Sequence, residues 1–478
     1  MTGAAGAIAE WGATDRLLAR ATTLAGAWGA RARTSTTAGC ERALLRLFGV
    51  AGLDRSGRPL AGEVVARYLA GGASRLAGGV VLPFAAALIE YDLAPQALAL
   101  EIASGTIDLA LEAEVLRDFG RRAAAEAEAA RLATGAIERI AANRTARREL
   151  LDLLGDAPRP WVGLPLAPSE IGEARTAIRD LVRDGADLVR ITVPPGRELA
   201  DRLHDAGVEV PGWRSYEEIP PPGEPTPAGS QRGLASLRHV ADEAAAERRS
   251  YVRLATVAPG LAAPEQAVVA AFERIDVTIA DVVAEIVDGR VDPDRALADH
   301  AFAHRLHKRA GSLLVVGPGP LAVAPDLARG IPSDPATRAG RALALQLLGV
   351  AFARADGLTP AQIGVGALPG WLLDERQPAA RAIAEVTMRR TLLPDHPLAF
   401  EEPAGGSAAA IRWPFILAAV LPLAGPTALI VRDGTGPAHP PCRRRPKAWL
   451  PCGPSTRTAF PALEPGEDCG RPAPSCRR

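Results

Sequence analysis

The chain has 478 residues, which gives room for two or three domains and a large core. It is 48% hydrophobic and 23% charged with a formal net charge of +0, so nothing indicates nucleic acid or an anionic membrane as a partner. The first residues lack a basic segment followed by an apolar run, so we expect no signal peptide. Cys40 is the only cysteine before residue 442, which indicates a reducing cytoplasm.

Residues 1–155 show apolar side chains at three- and four-residue spacing, interrupted by glycine pairs such as Gly71-Gly72. This pattern predicts an all-helical N-terminal domain. Its last part, Arg121 to Arg139, is rich in alanine with charges on one side, which is typical of a long surface helix.

The period changes at about residue 158. Tyr251 to Val277 reads as strand, turn, helix and the start of a second strand, which makes a parallel βαβ unit with a right-handed crossover. Repetition of this unit favours a (β/α)8 TIM-type barrel over residues 156–405 rather than an open sheet. The predicted strands cover residues 161–166, 188–193, 208–213, 251–257, 275–279, 312–316, 363–368 and 397–400.

The apolar run Trp413 to Val431 raises a transmembrane interpretation, but Pro414, Pro422 and Pro426 argue against a regular helix there. We therefore predict an apolar helical segment at 406–435 that packs on the barrel. Residues 436–478 are rich in proline, arginine and cysteine without an apolar period, which predicts a disordered tail and suggests a shifted reading frame or a decayed C-terminus.

Four stretches carry a family resemblance: TSTTAGCERALLRLFGVAGLD from Thr34, LAPQALALEIASGTIDL from Leu93, IAANRTARREL from Ile140, and the segment from Tyr251 with its GLAAPE and ERIDV. With them, the chain from about residue 30 to 403 resembles the α subunit of lysine 5,6-aminomutase. The resemblance implies helices followed by a barrel that binds pyridoxal phosphate. It also implies adenosylcobalamin, a lysine or related diamino acid as substrate, and a 1,2 amino shift in which the cofactors do the difficult chemistry.

The resemblance implies a partner as well: a smaller subunit that carries the cobalamin and the Schiff-base lysine. The chain itself has no D-x-H-x-x-G motif, the expected cobalamin-ligand signature, so it is at most the barrel half. It also departs from the family at most positions that would hold pyridoxal phosphate. The family's polar residues are replaced here by Val193, Pro194, Pro195, Glu198, Val257, Pro259, Pro318, Gly319 and Ala367. The alternative is a degenerate barrel that has lost this chemistry and acts as a binding or assembly component.

Candidate cofactor contacts remain after the second predicted strand. Its alternation directs Arg190 and Thr192 into the barrel and Val189, Ile191 and Val193 towards the helices. A phosphate could be held there, with Gly196 and Arg197 at a helix start adding donors and Gly260 lying after the next strand. The alternative is an internal ion pair for Arg190 and a solvated Arg197.

Other titratable groups receive structural interpretations. Arg253 and Asp276 are predicted to form an interior salt bridge rather than a catalytic pair. His300, His304 and His307 share one helical face, for which we prefer a solvated surface to a metal site. The prolines of Gly317 to Pro320 remove amide donors, so this segment is predicted to be a turn and not a phosphate loop. The two lysines are assigned away from a catalytic face, Lys308 at the opposite end of the barrel and Lys447 in the tail.

Overall fold

A computed structural model of the protein describes residues 3–32, 36–52, 54, 59–166, 174–191, 231–257, 263–280, 282–287, 292–317, 334–368, 377–401, 408–425 and 429–431. These residues all fall within one compact unit, Met1–Pro441. The upper end of the barrel is defined as the end at which its parallel strands finish, and the lower end as the end at which they start.

The N-terminal region is helical, as predicted. Asp108 and Asp118 accept hydrogen bonds from backbone amides of the helices that come after them, while Asp92 and Gly105 adopt left-handed conformations that end two others. One core cluster, which includes Leu45, Val64, Phe84, Leu98 and Ile102, joins the shorter helices. The helices are α1 (Gly3–Ala32), α2 (Ala38–Leu47), α3 (Leu60–Leu69), α4 (Val81–Tyr91), α5 (Pro95–Ser104), α6 (Leu109–Val115) and α7 (Phe119–Leu154).

Eight parallel strands then form a closed barrel in the order of the chain, which confirms the predicted TIM-type fold. They are β1 (Trp161–Leu166), β2 (Leu188–Ile191), β3 (Arg253–Val257), β4 (Val277–Ile279), β5 (Leu313–Val316), β6 (Ile363–Gly366), β7 (Leu398–Glu401) and β8 (Leu429–Val431). The outer helices are α8 (Ala174–Arg183), α9 (Gln231–Arg248), α10 (Ala263–Phe272), α11 (Val282–Val287), α12 (Pro293–Ala310), α13 (Pro335–Ala355), α14 (Pro378–Leu392) and α15 (Ala408–Ala424).

Two strand assignments from sequence need correction. β2 pairs directly with β3, so the barrel has no strand from 208–213 between them; those residues lie outside the described part of the chain. The segment predicted as the eighth strand is β7, and the eighth strand is Leu429–Val431, which pairs with both β7 and β1. The barrel therefore continues past the predicted boundary at residue 405.

The apolar segment at 406–435 thus contributes both a helix and a strand. α15 contains Pro414 and Pro422 and still forms, with Trp413, Leu417 and Val420 buried in the largest core cluster. The predicted packing of this helix on the barrel is correct, and the predicted all-helical character is wrong. Of the helices that the structure describes, none is long and apolar enough to cross a membrane. The predicted disordered tail at 436–478 lies outside the described residues.

Side chains alternate along the strands between the barrel interior and the helical layer. The interior cluster contains Leu188, Ala255, Val277, Val315 and Ala399. Gly364 belongs to this layer as well, since a Cβ atom on it would lie 3.0 Å from the Val315 side chain. On the other face of β2, Val189 and Ile191 pack in a cluster with α8 and α9, as predicted. The alternation therefore sends Arg190 inwards.

Candidate functional site

Arg190 and Glu401 form a salt bridge inside the upper half of the barrel. Their nearest nitrogen and oxygen are 2.7 Å apart, and the side chains are 8% and 17% exposed. Arg190 is next to Pro165 of β1 and Ala255 of β3, and Glu401 is the last residue of β7. A buried charge needs a partner of opposite sign, and Glu401 provides one for Arg190.

The predicted contact residues are only partly described. Arg190 points into the barrel, as predicted from alternation, and its ion pair is the one that the structural alternative required. Thr192, Gly196, Arg197 and Gly260 lie outside the described residues, so their role stays a prediction. Sequence reasoning missed Glu401. A usable signal was present, because Glu401 ends the strand LAFE in register with the interior residue Ala399.

Behind the upper end, a buried polar network holds the ends of β5 and β6. The amide of Gln346 donates to the carbonyl oxygen of Gly366 (2.8 Å) and accepts from Arg389 Nε (2.8 Å). Arg389 is fully buried and pairs with Glu385 at 2.5 Å. Gly317, with φ of +73°, passes so close that a Cβ atom would lie 2.7 Å from the Gln346 amide nitrogen. This contact requires glycine where the predicted turn begins; Pro318 to Pro320 lie outside the described residues.

The N-terminal helices hold the barrel through a second charged cluster. Glu265, in the first turn of α10, accepts from Arg42 Nε (2.8 Å) and Arg46 Nε (2.7 Å) of α2. Burial alone would raise the pKa of Glu265, but the charges and hydrogen bonds of the two arginines outweigh it and lower the pKa to about 2. Because α10 comes after β3, this clamp fixes α2 beside the upper half of the barrel.

Another contact joins the start of α2 to α12. Thr37 caps α2 by accepting from the amide of Cys40 (3.0 Å) and also bonds to the Asp299 carboxylate. Burial, followed by the charge of Asp299, raises the pKa of the Cys40 thiol to about 12. Such a thiol stays protonated and is a poor nucleophile, so this cluster is structural.

The three histidines of α12 are buried, and the prediction of a solvated face is wrong. His300, His304 and His307 are 1–2% exposed because α1, α2, α10 and α13 pack around α12. His304 Nδ1 lies 2.8 Å from Asp356 Oδ2, and His307 Nδ1 lies 2.9 Å from Ser312 Oγ. Within the described ranges no group of three or more His, Cys, Asp or Glu side chains could hold a metal ion. Helical periodicity alone could not reveal that other helices cover this face.

The lower end contains a cavity of about 240 Å³, lined among others by Arg147, Trp161, Tyr251, Arg253 and Asp276. The predicted Arg253–Asp276 salt bridge is replaced by other pairs. Arg253 binds Asp156 at 2.7 Å. Asp276 binds Arg147 at 2.9 Å and Arg238 at 3.3 Å. Both residues are buried, as predicted, but they lie where β3 and β4 begin, away from the end that carries catalysis in such barrels.

Lys308 also lies at the lower end. It belongs to the last turn of α12, and its Nζ atom is 2.5 Å from where a Cβ atom on Gly357, ahead of β6, would be. The position predicted for Lys308 is therefore correct. Lys447 lies outside the described residues.

Comparison with known proteins gives a consistent result. Residues 13–425 match the family described as the D-lysine 5,6-aminomutase TIM-barrel domain of alpha subunit. The lysine 5,6-aminomutase alpha subunit of Fusobacterium nucleatum is 27% identical over 377 residues, and that of Acetoanaerobium sticklandii is 25% identical over 369 residues. Each alignment covers 77% of this chain and 66% of the relative, so the chain spans slightly less than two thirds of their length. The family match includes both the N-terminal helices and nearly the whole barrel, and the chain therefore belongs to the family of lysine 5,6-aminomutase alpha-subunit barrels.

Proposed function

We propose that this chain is the barrel subunit of an adenosylcobalamin- and pyridoxal-phosphate-dependent aminomutase that shifts an amino group on lysine or a related diamino acid. A smaller cobalamin-binding partner supplies the lysine that holds pyridoxal phosphate, and the complex works in the cytoplasm. The observation that carries the proposal is the family match over residues 13–425, which coincides with a closed eight-stranded barrel behind a helical N-terminal region.

The division of labour supports a partner. Of the two lysines in the sequence, Lys308 lies at the lower end of the barrel, whereas active sites of such barrels form at the upper end. The two ends are separated by a strand's length, on the order of 15 Å. An amine at the upper end would therefore have to come from another chain.

The described residues fit the phosphate of this cofactor poorly. Arg190 is directed towards the upper interior, but the Glu401 carboxylate is bound to it at 2.7 Å. A phosphate at Arg190 would lie next to this carboxylate, and like charges at such a separation repel each other. We therefore assign no step of the reaction to Arg190.

This pair favours a second candidate function, a barrel that has kept its fold and assembly contacts while losing cofactor chemistry. The two candidates differ in whether pyridoxal phosphate is taken up. They share the docking of a partner on the barrel.

The test is co-expression of the chain with a cobalamin-binding subunit encoded beside it, followed by purification, cofactor absorption spectra and an assay for diaminohexanoate formed from lysine. The first candidate predicts a complex with bound pyridoxal phosphate and product. A complex without cofactor or product would favour the second candidate, and failure to form any complex would contradict both. If cofactor is bound, replacing Arg190 and Arg197 with alanine tests whether they hold its phosphate.

A further inference from the structure

The cavity at the lower end of the barrel has features that the proposed function does not use. Its volume of about 240 Å³ far exceeds the roughly 10–15 Å³ that one ordered water requires. It is lined where β1, β3, β4 and β5 begin, by Trp161, Arg253, Val277 and Leu313. Arg159 and Asp395, both exposed, lie at its edge.

Two arginines face the indole ring in this cavity. The guanidinium carbon of Arg253 is 3.5 Å from the centre of the Trp161 ring, and that of Arg159 is 4.5 Å from it. Burial, and the nearby charge of Arg253, lower the pKa of Arg159 even though Asp156 opposes the shift. Two cations held this close together create a positive potential that an anion would relieve.

Two lining side chains also have hydrogen-bond donors that are not used. Arg253 Nη1 and Trp161 Nε1 are buried, and neither has an acceptor among the described residues. Arg253 is 5% exposed, so water cannot easily replace that acceptor. A buried N–H without a partner costs free energy, and a ligand with oxygen acceptors would recover it.

The acidic residues of the cavity do not cancel this positive charge. Three arginines and two aspartates contribute to its lining. Asp276 is already occupied, since it accepts from the Tyr251 hydroxyl (2.9 Å) and the Leu254 amide (2.9 Å) besides its two arginines. Asp395 is exposed to solvent, where its charge is screened.

We propose that the lower-end cavity binds a small oxyanion, a phosphate or small carboxylate, between Arg159, Arg253 and the Trp161 indole N–H. This ligand is separate from any cofactor at the upper end. Planar guanidinium groups suit such an anion because they donate two hydrogen bonds in fixed geometry.

The test is calorimetric titration of the full chain with inorganic phosphate at constant ionic strength, with malonate as a second probe that distinguishes a phosphate from a carboxylate preference. Arg159→Gln removes an exposed charge, and Trp161→Phe keeps an aromatic ring while removing the N–H, so both should fold. Each should weaken saturable binding by about tenfold or more, the range for loss of one charge-assisted hydrogen bond.

Arg183→Gln is the matched control, because Arg183 is 74% exposed, lies in the last turn of the helix before β2 and does not line the cavity. It should leave the affinity unchanged. The proposal is overturned if neither probe binds saturably, if the Arg159 and Trp161 variants bind like the native chain, or if Arg190→Gln rather than Arg159→Gln removes binding. The last result would place the anion at the upper end.

Discussion

The guanidinium of Arg190 on β2 and the carboxylate of Glu401 on β7 meet at 2.7 Å, although β1 and β8 separate their strands around the barrel wall. The salt bridge therefore crosses the interior at the level where a barrel of this family would be expected to receive its cofactor. Its presence links the upper end's electrostatics to the choice between an active and a degenerate subunit.

Replacing Glu401 with glutamine should raise the affinity of the chain, or of its complex, for pyridoxal phosphate by about tenfold, because Arg190 would then be available to an anion. Glu401→Asp keeps the negative charge and serves as the control. Absorption titration with pyridoxal phosphate measures both variants. Equal affinities for the native chain and Glu401→Gln would show that Arg190 does not face the phosphate.

The purified chain alone should not form a lysine adduct with pyridoxal phosphate. Such an adduct needs an amine within bonding reach of the cofactor aldehyde, and Lys308 is at the lower end beside Gly357. Borohydride treatment followed by peptide mapping tests this expectation. Stoichiometric labelling of Lys308, absent in Lys308→Arg, would contradict both the position of the cofactor and the need for a partner's lysine.

Acidification should destabilise the fold below about pH 6.5, the ordinary pKa of a histidine. Burial, and then the neighbouring histidines, lower the pKa of His307 to about 3, and burial also lowers that of His304. Between these values the unfolded chain binds protons that the folded chain does not. Stability is therefore complete above pH 6.5 and falls towards pH 3, by about 1.4 kcal/mol per pH unit for each such proton.

Urea unfolding at several pH values measures this slope. His307→Gln should make it shallower. His239→Gln should leave it unchanged, because His239 is 66% exposed. Identical slopes for His307→Gln and the native chain would mean that other groups govern acid sensitivity.

Replacing Arg389 with methionine should destabilise the fold by roughly 3–5 kcal/mol, because Glu385 would be left as an unpaired buried charge. Changing both residues to methionine should cost less than the single change, since no uncompensated charge remains. Chemical denaturation gives the free energy of unfolding for the three proteins. A double variant that is less stable than Arg389→Met would contradict this explanation.

The overall fold was predictable because β2, β3, β5 and β6 are β-favouring runs between helices with clear periodicity. β8 was not, since Leu429–Val431 is a three-residue continuation of an apolar helix and lacks a signal of its own. A strand buried on both faces has no alternation that would separate it from a buried helix. The two prolines of α15 misled in the opposite direction, because tertiary packing of Trp413 and Leu417 stabilises that helix.

The site was predictable only where a single strand decided the matter. Alternation along β2 placed Arg190 inside, but its partner Glu401 is 211 residues away in sequence, and only barrel closure brings the two together. The same limit explains Arg253 and Asp276. Their strands are neighbours, yet Asp156 and Arg147 compete for them from the chain segment that precedes the barrel.

The pairing of β8 with β1 has a consequence for synthesis on the ribosome. β1 is the first strand to be made, and its edge hydrogen-bonding groups have no partner until β8, the last strand, has emerged. An exposed edge is a template for pairing with other chains. The nascent protein thus passes through a long stage in which the sheet is open and two edges are unprotected, and premature termination before Leu429 would leave it there permanently.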